Sequence, residues 1–189
     1  MEDRPRRQSE RVRCLSDGQE VRRQTITEEY ITALALSPDS SEFLVGTGYV
    51  DGSIRVYNRV NGNLTASLNG HRTWVSSLKF DGTGKRLVSG SADQTIRIWS
   101  WPEQKLLRTV RGHSDEVHEI ELSPDGKKVV SRGKDGSILL WDLERQLQAY
   151  GHNILPFKVA NPMSAAVSSD GKSIVAYNGD DGAFVWDVA

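Results

Sequence analysis

The chain lacks several features that would point to particular chemistries. Cys14 is its single cysteine, which excludes an intrachain disulfide and a cysteine-based zinc cluster. Charge of one sign is also missing: 24 lysines and arginines stand against 25 aspartates and glutamates, a net −1, so the chain as a whole has no electrostatic pull towards nucleic acid or a membrane. No run of about 18 apolar residues is present to span a bilayer. Residues 1–13 hold five arginines and no apolar segment of the kind a secretory signal needs. The expected compartment is therefore the cytoplasm, with the nucleus as the alternative. Helical periodicity over ten or more residues is absent, and no glycine-rich segment has the spacing that cradles phosphate.

What is present is repetition. Residues 70–100 open on Gly70-His71, alternate apolar and polar side chains over 74–80, 86–91 and 96–99, and turn at Asp81-Gly82 and Asp93-Gln94. Period-two alternation bounded by glycine and aspartate is the signature of short strands joined by tight hairpins. The same text returns with Gly112-His113 leading to Trp141, with Gly151-His152 leading to Trp186, and in a worn form ending on Tyr57. Tyr57 to Trp99 and Trp99 to Trp141 are each 42 positions, and Trp141 to Trp186 is 45. A nearly fixed period of this length marks an array of supersecondary units.

Each unit predicts three strands and a fourth between units. The expected strands are 30–36, 42–46 and 53–57, then 63–68 as a fourth, with the second and third copies following the same plan. Before the first copy, 12–15 can be laid over the end of a third strand and 20–26 over a fourth. Residues 1–11 are polar and predict a disordered lead-in. In the last copy, His152 to Trp186 is 34 positions against 28 from His71 to Trp99, and Pro156 and Pro162 predict that the excess is a loop over 153–162. One small sheet cannot bury both faces alone, so the units are expected to stack face to face, radially, as a β-propeller.

Gly-His at the start of a copy and tryptophan 28 residues after His71 and His113 resemble the WD-repeat (WD-40 type) family of β-propellers over about residues 12–189. The resemblance implies an all-β chain of four-stranded antiparallel blades, four WD repeats ending near 58, 100, 143 and 188. It also implies a hydrogen-bonded set in each good repeat: His71, Ser89, Asp93 and Trp99, then His113, Ser131, Asp135 and Trp141. The last copy keeps His152, Asp181 and Trp186 with Tyr177 in place of the serine, and the first has Thr47, Asp51 and Tyr57 without a histidine. Members of the family usually close with about seven blades. Four are expected to form a partial or oligomer-completed ring, or a ring in which 20–26 completes the last blade.

Serine, histidine and aspartate together also suit a nucleophilic hydrolase. The set occurs twice, 42 residues apart, and neither serine lies in a Gly-x-Ser-x-Gly elbow, so a structural role is expected and no catalytic residue is assigned. His118 with Glu116 and Glu119 is a thin basis for a metal, and neither metal nor cofactor is expected. Trp101 reads either as an outer-rim anchor or as a hydrophobic plug.

By the resemblance, partners bind where first strands begin and where the turn precedes each third strand: Tyr30, Thr32, Trp74, Ser76, Glu116, His118, Lys134, Asn161 and Met163. Aromatic and methionine side chains beside charges suit an interaction hot spot. The expected function is a non-catalytic scaffold or adaptor that binds other proteins and can self-associate to complete the propeller, with no membrane partner. Nucleic-acid binding through the N-terminal arginines with Arg132, Lys134, Lys127 and Lys128 is the alternative. A regulatory or targeting fragment of a larger protein is the third reading.

Overall fold

The structure, a computed structural model, describes residues 10–16, 19–26, 30–48, 51–144, 155–158 and 162–188. These form strands only, paired antiparallel throughout. Strands β1 (Glu10–Ser16) and β2 (Gln19–Ile26) make a two-stranded hairpin. The first blade is β3 (Tyr30–Leu36), β4 (Glu42–Gly48), β5 (Ile54–Asn58) and β6 (Leu64–Leu68). The second is β7 (Val75–Phe80), β8 (Arg86–Ser91), β9 (Thr95–Ser100) and β10 (Leu106–Arg111). The third is β11 (Val117–Leu122), β12 (Lys128–Gly133), β13 (Ser137–Asp142) and β14 (Leu155–Lys158). The fourth has three described strands, β15 (Ser164–Val167), β16 (Ser173–Asn178) and β17 (Gly182–Asp187).

Alternation along each strand gives each blade two apolar faces, and the core lies between blades. Leu44, Ile54, Val56 and Leu68 of the first blade pack against Val75, Leu78, Leu87 and Trp99 of the second. Val88, Ile96, Ile98 and Val110 meet Val117, Ile120, Val129 and Trp141 of the third. Val130, Ile138 and Leu140 then meet Ala165, Ile174 and Ala176 of the fourth. Each valine, leucine or isoleucine among them, taken fully out of water, contributes about 1.5–3 kcal/mol. Trp101 belongs to the first of these interfaces as a plug, its ring edge-on to Phe80 with centroids 5.0 Å apart.

Close approach of the blades depends on what stands in the second strand. A Cβ on Gly46 would lie 3.0 Å from Val75, and one on Gly90 would lie 3.0 Å from Val117, so the next blade's first strand sits almost on the glycine backbone. Pairing with Ile54, Ile96 and Ile138 places Gly46, Gly90 and Arg132 at one position of the repeat. Arg132 cannot be packed flat in this way. Its Nη1 instead donates to the Pro162 carbonyl at 2.9 Å, at the head of the fourth blade.

Several expectations need correction. Residues 153–162 are not wholly a loop, because Leu155–Lys158 is β14, the fourth strand of the third blade. Pro156 lies opposite Leu139 on this outermost strand, where the lost N–H removes no bond to a further neighbour. Gly151-His152 therefore precedes a fourth strand, whereas Gly70-His71 and Gly112-His113 follow one, so the third Gly-His pair holds a different place in the repeat. Both its residues lie outside the described ones. The strand over 20–26 does not complete the last blade: β2 is bonded to β1, and the four blades do not form a closed ring. Of the lead-in expected over 1–11, Glu10 and Arg11 are described, and they belong to β1.

Candidate interaction surface

The two polar sets come together at the blade edges. The second blade's Gly-His loop delivers His71 against β8 and the β8–β9 turn, with Nε2 2.8 Å from Ser89 Oγ and Nδ1 3.1 Å from Asp93 Oδ2. Trp99 Nε1 donates to the same Ser89 Oγ at 2.9 Å. A serine oxygen that accepts from tryptophan has its own proton left for an acceptor. The arrangement therefore fits a neutral His71 that accepts at Nε2 and donates from Nδ1 to Asp93. The third blade repeats it: His113 Nε2 is 2.7 Å from Ser131 Oγ, Nδ1 is 3.1 Å from Asp135 Oδ2, and Trp141 Nε1 donates to Ser131 Oγ at 2.7 Å.

The electrostatics agree. Burial pushes both histidines below the usual imidazole value of 6.5, outweighing the aspartates that favour the charged ring. Burial alone would raise the two carboxyls. Hydrogen bonds from His71, Thr95 and the Arg72 N–H reverse this for Asp93 and hold it well below the usual range. Bonds from Ser137, from the Ser114 N–H and the charge interaction with His113 bring Asp135 to about 2. Thr95 and Ser137, two residues after each aspartate, thus belong to the sets, and the sequence reading missed them. Their hydroxyls donate to the aspartates at 2.5 and 2.6 Å. The repeated Asp-x-Thr/Ser spacing was the available signal.

Among the described residues, the outer copies hold no such set. Tyr57 pairs with Phe43 as Trp99 pairs with Leu87, which puts Val45, not Thr47, at the serine position. The β4–β5 turn is two residues longer than the β8–β9 turn, and this displaced the alignment. Thr47 serves the turn itself, donating to Asp51 and to the Ser53 carbonyl. In the fourth blade Trp186 pairs with Ile174, which puts Ala176, not Tyr177, at that position. The turn there is closed by Asn178, which donates from Nδ2 to Asp181 at 3.0 Å and accepts from the Asp181 N–H.

Above the sets lie the side chains expected to meet partners. Tyr30 and Met163 are exposed at 48% and 61%, His118 and Lys134 are exposed, and Trp74 and Glu116 are half-buried. Thr32 and Ser76 face inward to the next blade: their hydroxyls donate to the Val75 carbonyl at 2.6 Å and the Val117 carbonyl at 2.5 Å. They fasten blade to blade. Asn161 lies outside the described residues. Glu116 is held between Lys134 at 3.2 Å and His118 at 3.5 Å, and Glu119 by Arg132 at 3.3 Å. Among the described residues no three histidine, cysteine or acidic side chains gather to hold a metal ion. No helix is long and apolar enough to cross a membrane.

Among known proteins, the chain matches U3 small nucleolar RNA-associated protein 12 of Saccharomyces cerevisiae, 44% identical over 48 residues. That stretch is 25% of this chain and 5% of the relative, so the chain spans only a small part of that protein's length. The family model for the WD domain, G-beta repeat, matches residues 18–58, 62–100 and 104–142, each span joining a fourth strand to the next blade's first three. Those spans cover more than half of the chain, and with the stacked four-stranded blades they make it a member of the WD40 repeat family.

Proposed function

We propose that the chain is a protein-interaction scaffold without catalysis of its own. The observation that carries the reading is a division of labour among its polar and apolar groups. Ser89 and Ser131 have no exposed surface, and each oxygen already accepts from a tryptophan, which leaves no approach for a substrate carbonyl. The first-strand heads meanwhile carry Tyr30, Trp74, His118 and Met163 at or near solvent, the residue types that anchor protein interfaces. Repeats of this family generally serve as non-catalytic scaffolds, which supports the same reading.

Nucleic-acid binding through Arg132, Lys134, Lys127 and Lys128 is less well supported, while the N-terminal arginines named with them have no described side chains. Arg132 is committed to Pro162 and Glu119, Lys134 to Glu116, Lys127 to Glu144, and Lys128 to the Gly171 carbonyl. The similar yeast protein is named for association with a small nucleolar RNA, and on that likeness we favour the nucleus as the compartment. A role as part of a larger assembly is compatible with either reading.

Quantitative capture of proteins from nuclear extract tests the scaffold. Wild-type chain is compared with a Tyr30→Glu, Met163→Glu double variant and with Lys85→Glu, at an exposed turn residue outside this surface. Proteins retained by wild type and by Lys85→Glu, and lost from the double variant, are the expected result. Identical retention by all three would overturn the placement of the surface.

A further inference from the structure

Among the described residues, several cations are tied down within the chain, and the arginines on one flank of the second blade are not. Arg86 donates to Asp81 at 2.8 Å and to the Gly126 carbonyl at 2.7 Å, and the cations of the third blade are engaged as described above. Among the described residues, the side chains of Arg72, Arg97 and Arg111 make no hydrogen bond and no ion pair within 4.0 Å. Arg97 Nε is buried without any partner.

Three features bring these arginines together. Arg97 lies opposite Thr109 on β10, and Arg111, two residues further along that strand, is its diagonal neighbour on the same face. Arg72 follows His71 in the Gly-His loop, where its N–H is bonded to Asp93 Oδ2 at 3.0 Å. Gly70 lies against the Arg97 guanidinium: a Cβ there would fall 2.1 Å from Nη1 and 2.9 Å from Cζ, so a larger residue would displace the guanidinium from this place. The neighbouring carboxylate cannot serve Arg97, because both Asp93 oxygens are taken by His71, Thr95 and the Arg72 N–H. Three cations thus stand against one occupied carboxylate. Burial and the charges of Arg111 and Arg72 lower the Arg97 pKa, with only Asp93 acting the other way.

A planar guanidinium with an unsatisfied buried donor, flanked by two free arginines, is suited to a compact multiply charged anion that accepts two parallel hydrogen bonds. We propose that Arg97, with Arg72 and Arg111, forms an anion site on the flank of the second blade that takes a phosphorylated side chain of a protein partner. This names a partner chemistry for the scaffold and rests on that reading. The site is a single focus of charge. A nucleic-acid backbone calls for a track of free cations, and Lys127, Lys128, Arg132 and Lys134 of the third blade are engaged within the chain.

The test uses the full chain labelled with nitrogen-15, following the arginine Nε–H signals by NMR. The probes are inorganic phosphate, a short phosphothreonine peptide, the same peptide without phosphate, and a short single-stranded RNA. Phosphate and the phosphopeptide are expected to shift the Arg97 Nε–H signal, and the unphosphorylated peptide to leave it unmoved. Arg97→Gln should weaken the phosphopeptide at least tenfold, and Arg111→Gln several-fold, while Arg59→Gln at an exposed turn changes nothing. No shift with the phosphopeptide, an equal shift with its unphosphorylated form, or tighter binding of the RNA through Arg97 would each overturn the proposal. The capture experiment reads Tyr30 and Met163 and does not involve Arg97, so either idea can fail alone.

Discussion

The second and fourth blades share one plan and differ in what surrounds it. In the second, Leu87 and Trp99 face one neighbour, Val88 and Ile98 face the other, and none of the four is more than 4% exposed. In the fourth, Ile174 and Ala176 are buried against the third blade, while Val175, Tyr177 and Val185 on the other face are 40%, 46% and 68% exposed. The polar set follows the same division. Where both faces are covered, the tryptophan N–H and the turn carboxylate are cut off from water and must find partners inside the protein, which Ser89 and His71 supply. In the fourth blade Trp186 is half-buried, Ala176 replaces the serine, and a short Asn178–Asp181 pair closes the turn. The His-Ser-Asp set is thus found in the two blades that have a neighbouring blade on each side, where it pairs the buried indole N–H and the turn carboxylate.

The largest expected break of this comparison is Trp99→Ala, which leaves a cavity between the first two blades and removes the indole donor to Ser89 Oγ. A loss of about 3–5 kcal/mol is expected in urea unfolding. Trp186→Ala should cost clearly less, since part of that ring already meets water; equal losses would remove the distinction between the blades. Next in size is His113→Ala, which takes the acceptor from the Ser131 hydroxyl and the imidazole donor from Asp135 and is expected to cost about 2–3 kcal/mol. Asn178→Ala in the fourth blade should cost about 1 kcal/mol, as for an ordinary hydrogen bond.

How far the sequence could be read depended on whether each signal was local. Most strands and turns and the histidine, serine, aspartate and tryptophan of both sets were legible, because period-two alternation and the spacing from His71 to Trp99 are carried within one unit. Other features were not. The face on which Thr47 lies depends on the length of its hairpin, and two added residues at a glycine-containing turn leave no mark on composition. Pro156 argued against a strand, and only its place at a sheet edge makes it acceptable. Thr32 and Ser76 looked like surface residues from their own strands, since the carbonyls they bond belong to the next blade. Arg97 was invisible for a related reason: what sets it apart from Arg86 is the lack of a partner, a property of the assembled blade.

Acid should separate the enclosed blades from the fourth. Because both histidines titrate below 6.5 in the folded chain, the unfolded chain takes up protons first as pH falls past that value. Stability is then full above about 6.5 and declines below it. The aspartates act in the same direction further down: with Asp135 near 2 against an ordinary 3.8, further stability is lost as pH falls through that interval. Urea midpoints measured from pH 8 to 5 should therefore be flat and then fall, and the fall should shrink in a His71→Gln, His113→Gln double variant. An undiminished fall in that variant would place the acid sensitivity outside the sets.

The smallest effect gives the finest test of the bare face. Val185 pairs with Val175 as Ile98 pairs with Val88 and Leu140 with Val130, so its side chain projects where the other blades receive a neighbour. Ile98 and Leu140 are 4% and 6% exposed, against 68% for Val185. A hydroxyl put at Ile98 would be buried without a partner in an apolar cluster, a cost of about 1–3 kcal/mol beyond the lost packing. At Val185 the same hydroxyl meets water, and Val185→Ser should change stability by no more than about 0.5 kcal/mol. If Val185→Ser instead costs as much as Ile98→Ser, this face is covered in solution, and light scattering on the same samples shows whether a second copy covers it.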